Sequence, residues 1–329
     1  MSSVQNKSSL GDLGSSSLNA RFELVYNQNE SRYDGADLAK KLFSFKNTDQ
    51  DTFRTTGLTG VPLLERFDEG DPIPKGVNTK TFETLYAVND YGKGIDVTDD
   101  CQKDKQKLGA KLDEMANLAR STDIHQYKAA FQILNGGFVT TATVNGIALN
   151  RYNNEALFSA SHARADGGTA QSNVSAAAIS LTELNIETGR LALIKQLTDN
   201  GQPIVDMGAI NLVVPDDLIK NAVIFTQSQY RATTANNDLN FYQTTTGKIN
   251  VMSSRWLNAN VGGSSTAWFL LATVPGVDSP LCVYRKGGPE FYAAPRDPNT
   301  WTQTFSVKNR MAIGNSEFKG TWASQGTGA

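Results

Sequence analysis

Two stretches of apolar and alternating residues near the amino-terminal third of the chain predict a long β-hairpin. They are residues 61–67 and 79–88, and turn formers mixed with charges fill residues 68–76 between them. In the second stretch Phe82 and Tyr86 share one parity, which is the placement expected on the buried face of a half-buried strand. An isolated two-stranded arm is at best marginally stable in water, so we expect this hairpin to rest on another molecule.

Directly after the hairpin, apolar residues recur at helical spacing. The stripe consists of Leu108, Leu112, Met115, Leu118, Tyr127, Phe131 and Leu134, and it ends at the pair Gly136 and Gly137. Thr98 is the predicted N-cap, and the acids around it suit the positive end of a helix. The pattern predicts one helix from Thr98 to Leu134, about 55 Å long, or two helices end to end if residues 121–123 interrupt it. Its charged face mixes both signs, unlike the one-sided basic face of a helix that reads nucleic acid.

The remaining pattern predicts an α/β section and a closing pair of strands. Residues 35–45 indicate a short helix, and residues 180–183 form a capping box that opens a helix carrying Leu184, Leu191 and Ile194. Residues 210–214 indicate a buried strand, and Pro215 suits the first turn of the next helix. Three further runs, 248–257, 267–274 and 281–285, are typical of strands in one sheet, and residues 302–322 suggest an antiparallel pair. Residues 1–30 are polar, so they predict either a disordered tail or an arm that orders against neighbouring subunits.

Composition places the chain among folded proteins with no strong electrostatic preference. Its 329 residues are 39% hydrophobic and 19% charged, and the net charge is −2. That charge gives no drive toward nucleic acid or an anionic membrane, and no run of about 18 apolar residues predicts a membrane span. The two cysteines, Cys101 and Cys282, are far apart in sequence, so we expect no disulfide framework and a reducing, cytosolic setting.

No sequence motif of catalysis, cofactor binding or metal binding stands out. Gly247-Lys248 is followed by Ile249, which lacks the hydroxyl of a phosphate-binding loop. With His125 and His162 as the only histidines, a structural zinc site is not expected. Ser159, Ser161, His162 and Asp166 are adjacent in sequence, but a nucleophile and its base must meet in space. We therefore interpret this cluster as a polar loop with a hydrogen-bonded histidine, and we predict no catalytic, cofactor or metal site.

Four local texts give the chain a resemblance to the major capsid proteins of tailed bacteriophages, in particular the Mu-like major head subunits. The texts are GKGIDVTDD at 92–100, EALFSASH at 155–162, the "P…LVVPDDL" text within 203–217, and FKGTWASQG at 318–326. Their order and spacing extend the resemblance from about residue 51 to residue 326.

The resemblance implies an α+β fold of the Johnson type, the shell architecture of tailed phages. Residues 1–50 would be an amino-terminal arm, 51–97 an extended loop, 98–137 the spine helix of a peripheral domain, and 138–290 an α/β axial domain. Residues 291–329 would return to the peripheral domain. The expected contacts with a neighbouring subunit lie in the extended loop: Leu63, Leu64, Arg66, Phe67, Glu69, Lys80, Phe82, Leu85 and Tyr86, with the charged members setting the register.

The same resemblance implies a major capsid protein, not an enzyme, that self-assembles into an icosahedral shell of pentamers and hexamers. The shell would enclose double-stranded DNA without sequence-specific binding, with scaffolding, portal and decoration proteins as partners, and without a membrane. It implies synthesis in the cytoplasm of a bacterial host and residence in the virion. Two alternatives stay open at this point: an encapsulin-like compartment, and a soluble two-lobed enzyme or ligand-binding protein that uses residues 138–290.

Overall fold

Two mixed sheets, one long helix and a separate hairpin organise the chain. The computed structural model describes residues 17–25, 36–59, 63–69, 71–76, 78, 80–204, 207–230, 239–243, 247–273 and 279–327. The helices are α1 (17–25), α2 (Ala36–Leu42), α3 (Asp99–Lys103), α4 (Lys105–Asn135), α5 (Glu183–Ile194) and α6 (Ile219–Gln227). The strands are β1 (Ser44–Asn47), β2 (Thr52–Leu58), β3 (Lys80–Ala87), β4 (Asn89–Thr98), β5 (Thr143–Val144), β6 (Ile147–Asn150), β7 (Ile210–Val214), β8 (Ile249–Ser253), β9 (Trp268–Ala272), β10 (Leu281–Arg285), β11 (Glu290–Ala293), β12 (Thr302–Asn315) and β13 (Thr321–Ser324).

Strand β12 is the central element of the larger sheet, in which seven of the described strands are joined. Its first part lies between β4 and β11, and its last part lies between β10 and β6. Alternate residues from Phe305 to Ile313 point to the side covered by helix α4 and are buried. The sequence interpretation of residues 302–322 as an antiparallel pair is wrong, because β12 is one strand of 14 residues and β13 pairs with β9 in the other sheet.

The smaller sheet has the strand order β13-β9-β7-β8 and is covered on both faces. One face packs on helices α5 and α6 through residues such as Leu212, Leu270 and Trp322, and the other face joins the core under α4 through Val213 and Phe269. Burial on both faces explains why β7 is an unbroken apolar run. The expectation that residues 281–285 belong to this sheet is wrong, since β10 pairs with β1 and β12.

Helix α4 is the spine of the molecule, and it begins later than the sequence predicts. Thr98 precedes the short helix α3 without a side-chain capping bond, whereas Asp104 Oδ1 accepts hydrogen bonds from the backbone of Gln106 at 3.0 Å and of Lys107 at 3.4 Å. From there 31 residues continue without interruption, about 46 Å at the usual rise. The helix ends at Gly136, whose carbonyl accepts a 3.0 Å hydrogen bond from the buried guanidinium of Arg151. None of the described helices is long and apolar enough to cross a membrane.

Helix α1 packs on the subunit's own core. Leu18, Phe22 and Val25 are buried against α4 and the β4–β12–β11 part of the larger sheet, and the Phe22 ring stacks on Phe291 with centroids 4.5 Å apart. Within residues 17–25 the expectation of a tail, or of an arm ordered only by a neighbour, is therefore wrong. Most of residues 1–30 lie outside the described residues.

Candidate intersubunit surface

Strands β2 and β3 form a separate antiparallel hairpin, which we call the hairpin below. The ladder runs from Thr52 opposite Ala87 to Leu58 opposite Lys80, with an irregularity near Thr56. The predicted first strand, residues 61–67, is wrong for its described part, because residues 63–69 and 71–76 have no regular secondary structure. Prolines at 62, 72 and 74 cannot donate to a ladder, which explains why pairing stops before them.

The root of the hairpin is fixed in the core by one face of β3. Tyr86 has no exposed surface, stacks on Phe53 of β2 at 5.2 Å and meets Tyr284 of β10 edge-on at 4.8 Å. Burial raises the pKa of the Tyr86 phenol. Two residues earlier on the same face, the hydroxyl of Thr84 donates to the carbonyl of Asn315 at 3.0 Å. The hairpin therefore leaves the subunit from a rigid base.

Beyond the ladder the connecting loop exposes large apolar side chains. The side chain of Leu64 has a relative exposure of 102%, and Leu63, Phe67 and Ile73 are also exposed. We call the described residues 63–69 and 71–76 the hairpin tip. A monomer rarely presents such side chains together unless they serve as a contact surface.

The structure divides the predicted contact residues into two groups. Those that are exposed and able to meet a neighbour are Leu63, Leu64, Arg66, Phe67, Glu69, Lys80 and Leu85. Phe82 is half-buried and meets Tyr152 edge-on at 6.2 Å, and Tyr86 lies wholly inside the subunit. Tyr86 is thus corrected to a core residue, because parity placed it on the inward face of β3. Arg66 forms an ion pair with Asp68 of its own loop at 3.1 Å, and both side chains are solvated.

Sequence reasoning missed Ile73, which lies between Pro72 and Pro74 in the hairpin tip. An apolar residue between two prolines is held extended and cannot join a ladder, and this signal could have placed it at a contact surface. The charged residues at the root of the hairpin were also missed, since their partners come from more than 200 positions away in the sequence.

The polar cluster around His162 is structural. The ring nitrogens of His162 lie 3.1 Å from a carboxylate oxygen of Glu155 and 3.2 Å from the carbonyl of Leu157, whereas the Ser159 hydroxyl accepts from the backbone of Ser161. Burial lowers the pKa of His162, and the Glu155 carboxylate opposes that effect. Asp166 accepts from the backbone of Gly168 instead of orienting the histidine. The arrangement matches the polar-loop interpretation.

The overall fold is similar to three solved phage-type shells. They are a structure described as Mycobacterium phage Patience (TM-score 0.55, 11% identity, covering 99% of this chain and 89% of that one), the capsid of a native GTA particle (0.56, 11%, 90% and 91%), and the capsid of Ralstonia phage GP4 (0.52, 12%, 87% and 87%). At such identities the likeness shows the fold alone. A comparison with curated protein sequences found no significant match.

A long spine helix, two mixed sheets and a rooted hairpin with an exposed tip therefore define an α+β shell subunit of the Johnson type. A sequence-family profile described as "Phage capsid protein" matches residues 81–324, which is most of the chain. The chain belongs to the phage capsid protein family and is a major capsid protein that forms the shell.

Proposed function

We propose that copies of this chain assemble as pentamers and hexamers into the icosahedral head of a tailed phage, and that this head encloses double-stranded DNA. The hairpin of one copy lies on the adjacent copy. The observation that carries this proposal is the contrast between a root with no exposed surface at Tyr86 and a tip with Leu64 fully exposed. A rigidly rooted element that ends in solvated apolar side chains fits a partner surface outside the subunit.

The energies suit assembly by many modest contacts. Full burial of a leucine or phenylalanine side chain contributes about 1.5–3 kcal/mol, so the three side chains of Leu63, Leu64 and Phe67 supply a few kcal/mol before ordering costs are subtracted. Each contact alone is weak enough to dissociate, and several contacts per subunit together give a stable shell.

We assign the parts of the subunit on the same basis. Residues 1–50 form the amino-terminal arm, with 17–25 resting on its own subunit, and 51–97 form the extended loop. Residues 98–137 contain the spine helix of the peripheral domain, and 291–329 return to it, which the pairing of β12 with β4 supports. Residues 138–290 form the axial domain.

The proposed partners follow from the shell. Other copies of the chain are the main partner, with scaffolding, portal and decoration proteins as further ones. The DNA is held without sequence-specific binding, which the net charge of −2 supports because strong phosphate binding is not expected of it. The protein is structural, not catalytic, is made in the bacterial host cytoplasm and resides in the virion.

The test compares two substitutions at one fully exposed position. Leu64→Glu places a charge in the proposed contact, whereas Leu64→Met keeps an apolar side chain of similar size. We expect both variants to fold with the thermal stability of the wild type, because the Leu64 side chain is fully exposed within the subunit. Leu64→Glu should remain as subunits or small oligomers in sedimentation and electron microscopy, and Leu64→Met should form shells.

A deletion of residues 68–76 supplies a second variant, which should also fold and fail to form shells. Normal shells from Leu64→Glu and from the deletion would overturn the docking role of the hairpin tip. Shells that protect no DNA from nuclease when made in the host would instead favour a compartment over a phage head.

A further inference from the structure

Two carboxylates bracket the hairpin at its root. Asp51 immediately precedes β2, and Asp90 follows β3 at the start of β4. The guanidinium of Arg310 binds both of them: Nη2 lies 2.8 Å from Asp51 Oδ1, and Nε lies 3.0 Å from Asp90 Oδ1. A single cation thus joins the point where the chain enters the hairpin to the point where it leaves.

Two lysines complete this arrangement, which we call the root clamp. Lys286 Nζ lies 2.6 Å from Asp51, and Lys308 Nζ lies 2.8 Å from Asp90. Glu290 on β11 is a further acid close enough to act on Arg310. The clamp therefore joins three cations to the two acids that flank the hairpin.

The cations are mounted on the rigid frame, and the acids on the hairpin root. Arg310 and Lys308 are alternate residues of β12, so they share the face of the larger sheet that is turned away from α4. Lys286 directly follows β10, and its backbone N–H donates to the carbonyl of Arg310 at 2.9 Å. Paired strands on both sides hold β12, so the position of the guanidinium is set by the sheet.

The clamp acts on direction more than on stability. Exposed ion pairs contribute little to the free energy of unfolding, and Asp51 and Asp90 are both solvated. A strand of seven residues is about 23 Å long, and a rotation of about 10° at its root moves its far end by about 4 Å. That displacement equals the contact distance between two apolar side chains. A small change at the root is enough to lift the hairpin tip off a receiving surface.

We propose that Arg310 is a positioning residue, which fixes the angle of the hairpin through Asp51 and Asp90 and so decides whether the tip reaches the neighbouring copy. Tyr86 and Phe53 form the pivot on the inner face, and the root clamp restricts rotation about it on the outer face. The inference rests on the proposed docking role of the tip. It adds that the reach of the hairpin is set electrostatically, and that salt, which screens solvated charges, weakens it.

The experiment measures the angle directly, in full-length subunits held below the concentration at which they assemble. Cys101→Ser is the background, and spin labels at Glu69→Cys in the hairpin tip and at Gln106→Cys on α4 report a distance distribution. Arg310→Gln removes the shared cation. The matched control is Arg54→Gln, which removes an equally solvated ion pair with Glu83 that lies within the hairpin itself.

We expect Arg310→Gln to broaden the distribution and Arg54→Gln to leave it as in the wild type. The double substitution Asp51→Asn/Asp90→Asn should reproduce the broadening, and adding Arg310→Gln to it should have no further effect, because both act through the same pairs. About 1 M salt should broaden the wild type toward the variant. An unchanged distribution in Arg310→Gln would overturn the inference.

Assembly is then scored separately with unlabelled chains. Shell yield at fixed concentration should fall about tenfold in Arg310→Gln, which corresponds to about 1.4 kcal/mol, and stay unchanged in Arg54→Gln. A broadened distribution with a normal shell yield would refute the link between angle and assembly. Failure of the docking role itself would show instead as normal shells from Leu64→Glu, so the two results are distinguishable.

Discussion

The ring of His162 lies flat on the ring of Phe318, with centroids 3.9 Å apart and planes 8° apart. The contact joins the loop after the 3₁₀ turn at Tyr152–Asn154 to the segment that leads into β13. Asn173 strengthens the junction, since its side-chain amide donates to Leu157 O at 2.7 Å and to the Thr321 hydroxyl at 3.1 Å. Two of the four sequence texts that resemble phage capsid proteins thus meet face to face inside one subunit.

The stacked pair predicts a measurable coupling in stability. Phe318→Ala should lower the free energy of unfolding by about 3 kcal/mol, because a wholly buried ring is lost. A double-mutant cycle with His162→Ala should give a coupling energy of about 0.5–1.5 kcal/mol in urea titrations of the subunit. Strictly additive losses would show that the rings only fill space.

Arg151 predicts a second stability effect, at the end of the spine helix. Its guanidinium donates to the carbonyls of Gly136 at 3.0 Å and Thr141 at 3.1 Å, and its burial lowers the pKa of the side chain. Arg151→Met should cost about 1.5–3 kcal/mol, the usual value for hydrogen bonds to a charged group. Hydrogen exchange should also rise selectively at the last turn of α4. Uniform exchange changes along α4 would contradict the capping role.

Glycine positions give a matched pair of opposite predictions. A Cβ on Gly314 would lie 1.9 Å from the carbonyl oxygen of Asn150, where β12 joins β6, so Gly314→Ala should lower the free energy of unfolding by at least about 2 kcal/mol. Gly109 on the exposed part of α4 has open space instead, and Gly109→Ala should raise it by about 0.5–1 kcal/mol. Thermal unfolding of both variants checks this, and equal effects would contradict the close approach of β12 to β6.

Trp301 predicts a stabilising substitution. Its backbone has φ of +52°, a region that costs a bulky residue about 1–2 kcal/mol, and its side chain is largely exposed. Trp301→Gly should raise the free energy of unfolding by about 0.5–1 kcal/mol, whereas Trp301→Ala, which keeps the Cβ, should not. A lower melting temperature for the glycine variant than for the alanine variant would contradict the strain.

The root clamp predicts a response to acid. The pKa of Asp51 is lowered chiefly by its hydrogen bond from Lys286, and that of Asp90 by its hydrogen bond from Lys308. Groups with depressed pKa values contribute above the ordinary carboxyl range of about 4 and lose that contribution as the pH falls through the depressed values. The label distance should therefore stay constant from about pH 6 to about pH 4 and broaden only below that range. Broadening centred near neutral pH would point to other groups.

Local pattern was enough to predict elements that carry their own signal. The unbroken apolar run of β7, the stripe along α4 and the stop at Gly136 are all in the structure, because burial and termination there depend on neighbours in sequence. Helix α5 begins after Thr182, inside the predicted capping box, although Leu184, Leu191 and Ile194 prove to be on its exposed side.

Strand partners could not be predicted, because they are set by residues distant in sequence. In β12 the inward positions keep one parity from Phe305 through Asn309 to Ile313, and the buried polar Asn309 makes a continuous strand look like two. The root clamp escaped for the same reason: Asp51 and Asp90 are ordinary surface acids until the fold brings Arg310 between them. Exposure of Leu64, by contrast, follows from its place in a proline-rich loop.

The position of β12 late in the chain has a consequence for the order of events during synthesis. Every element that holds the hairpin root from outside, including Arg310 and the carbonyl of Asn315, emerges more than 200 residues after the hairpin itself. A nascent chain that has made residues 51–98 therefore has no frame on which to orient them. Recognition between copies is thereby deferred until each polypeptide has nearly completed its own folding.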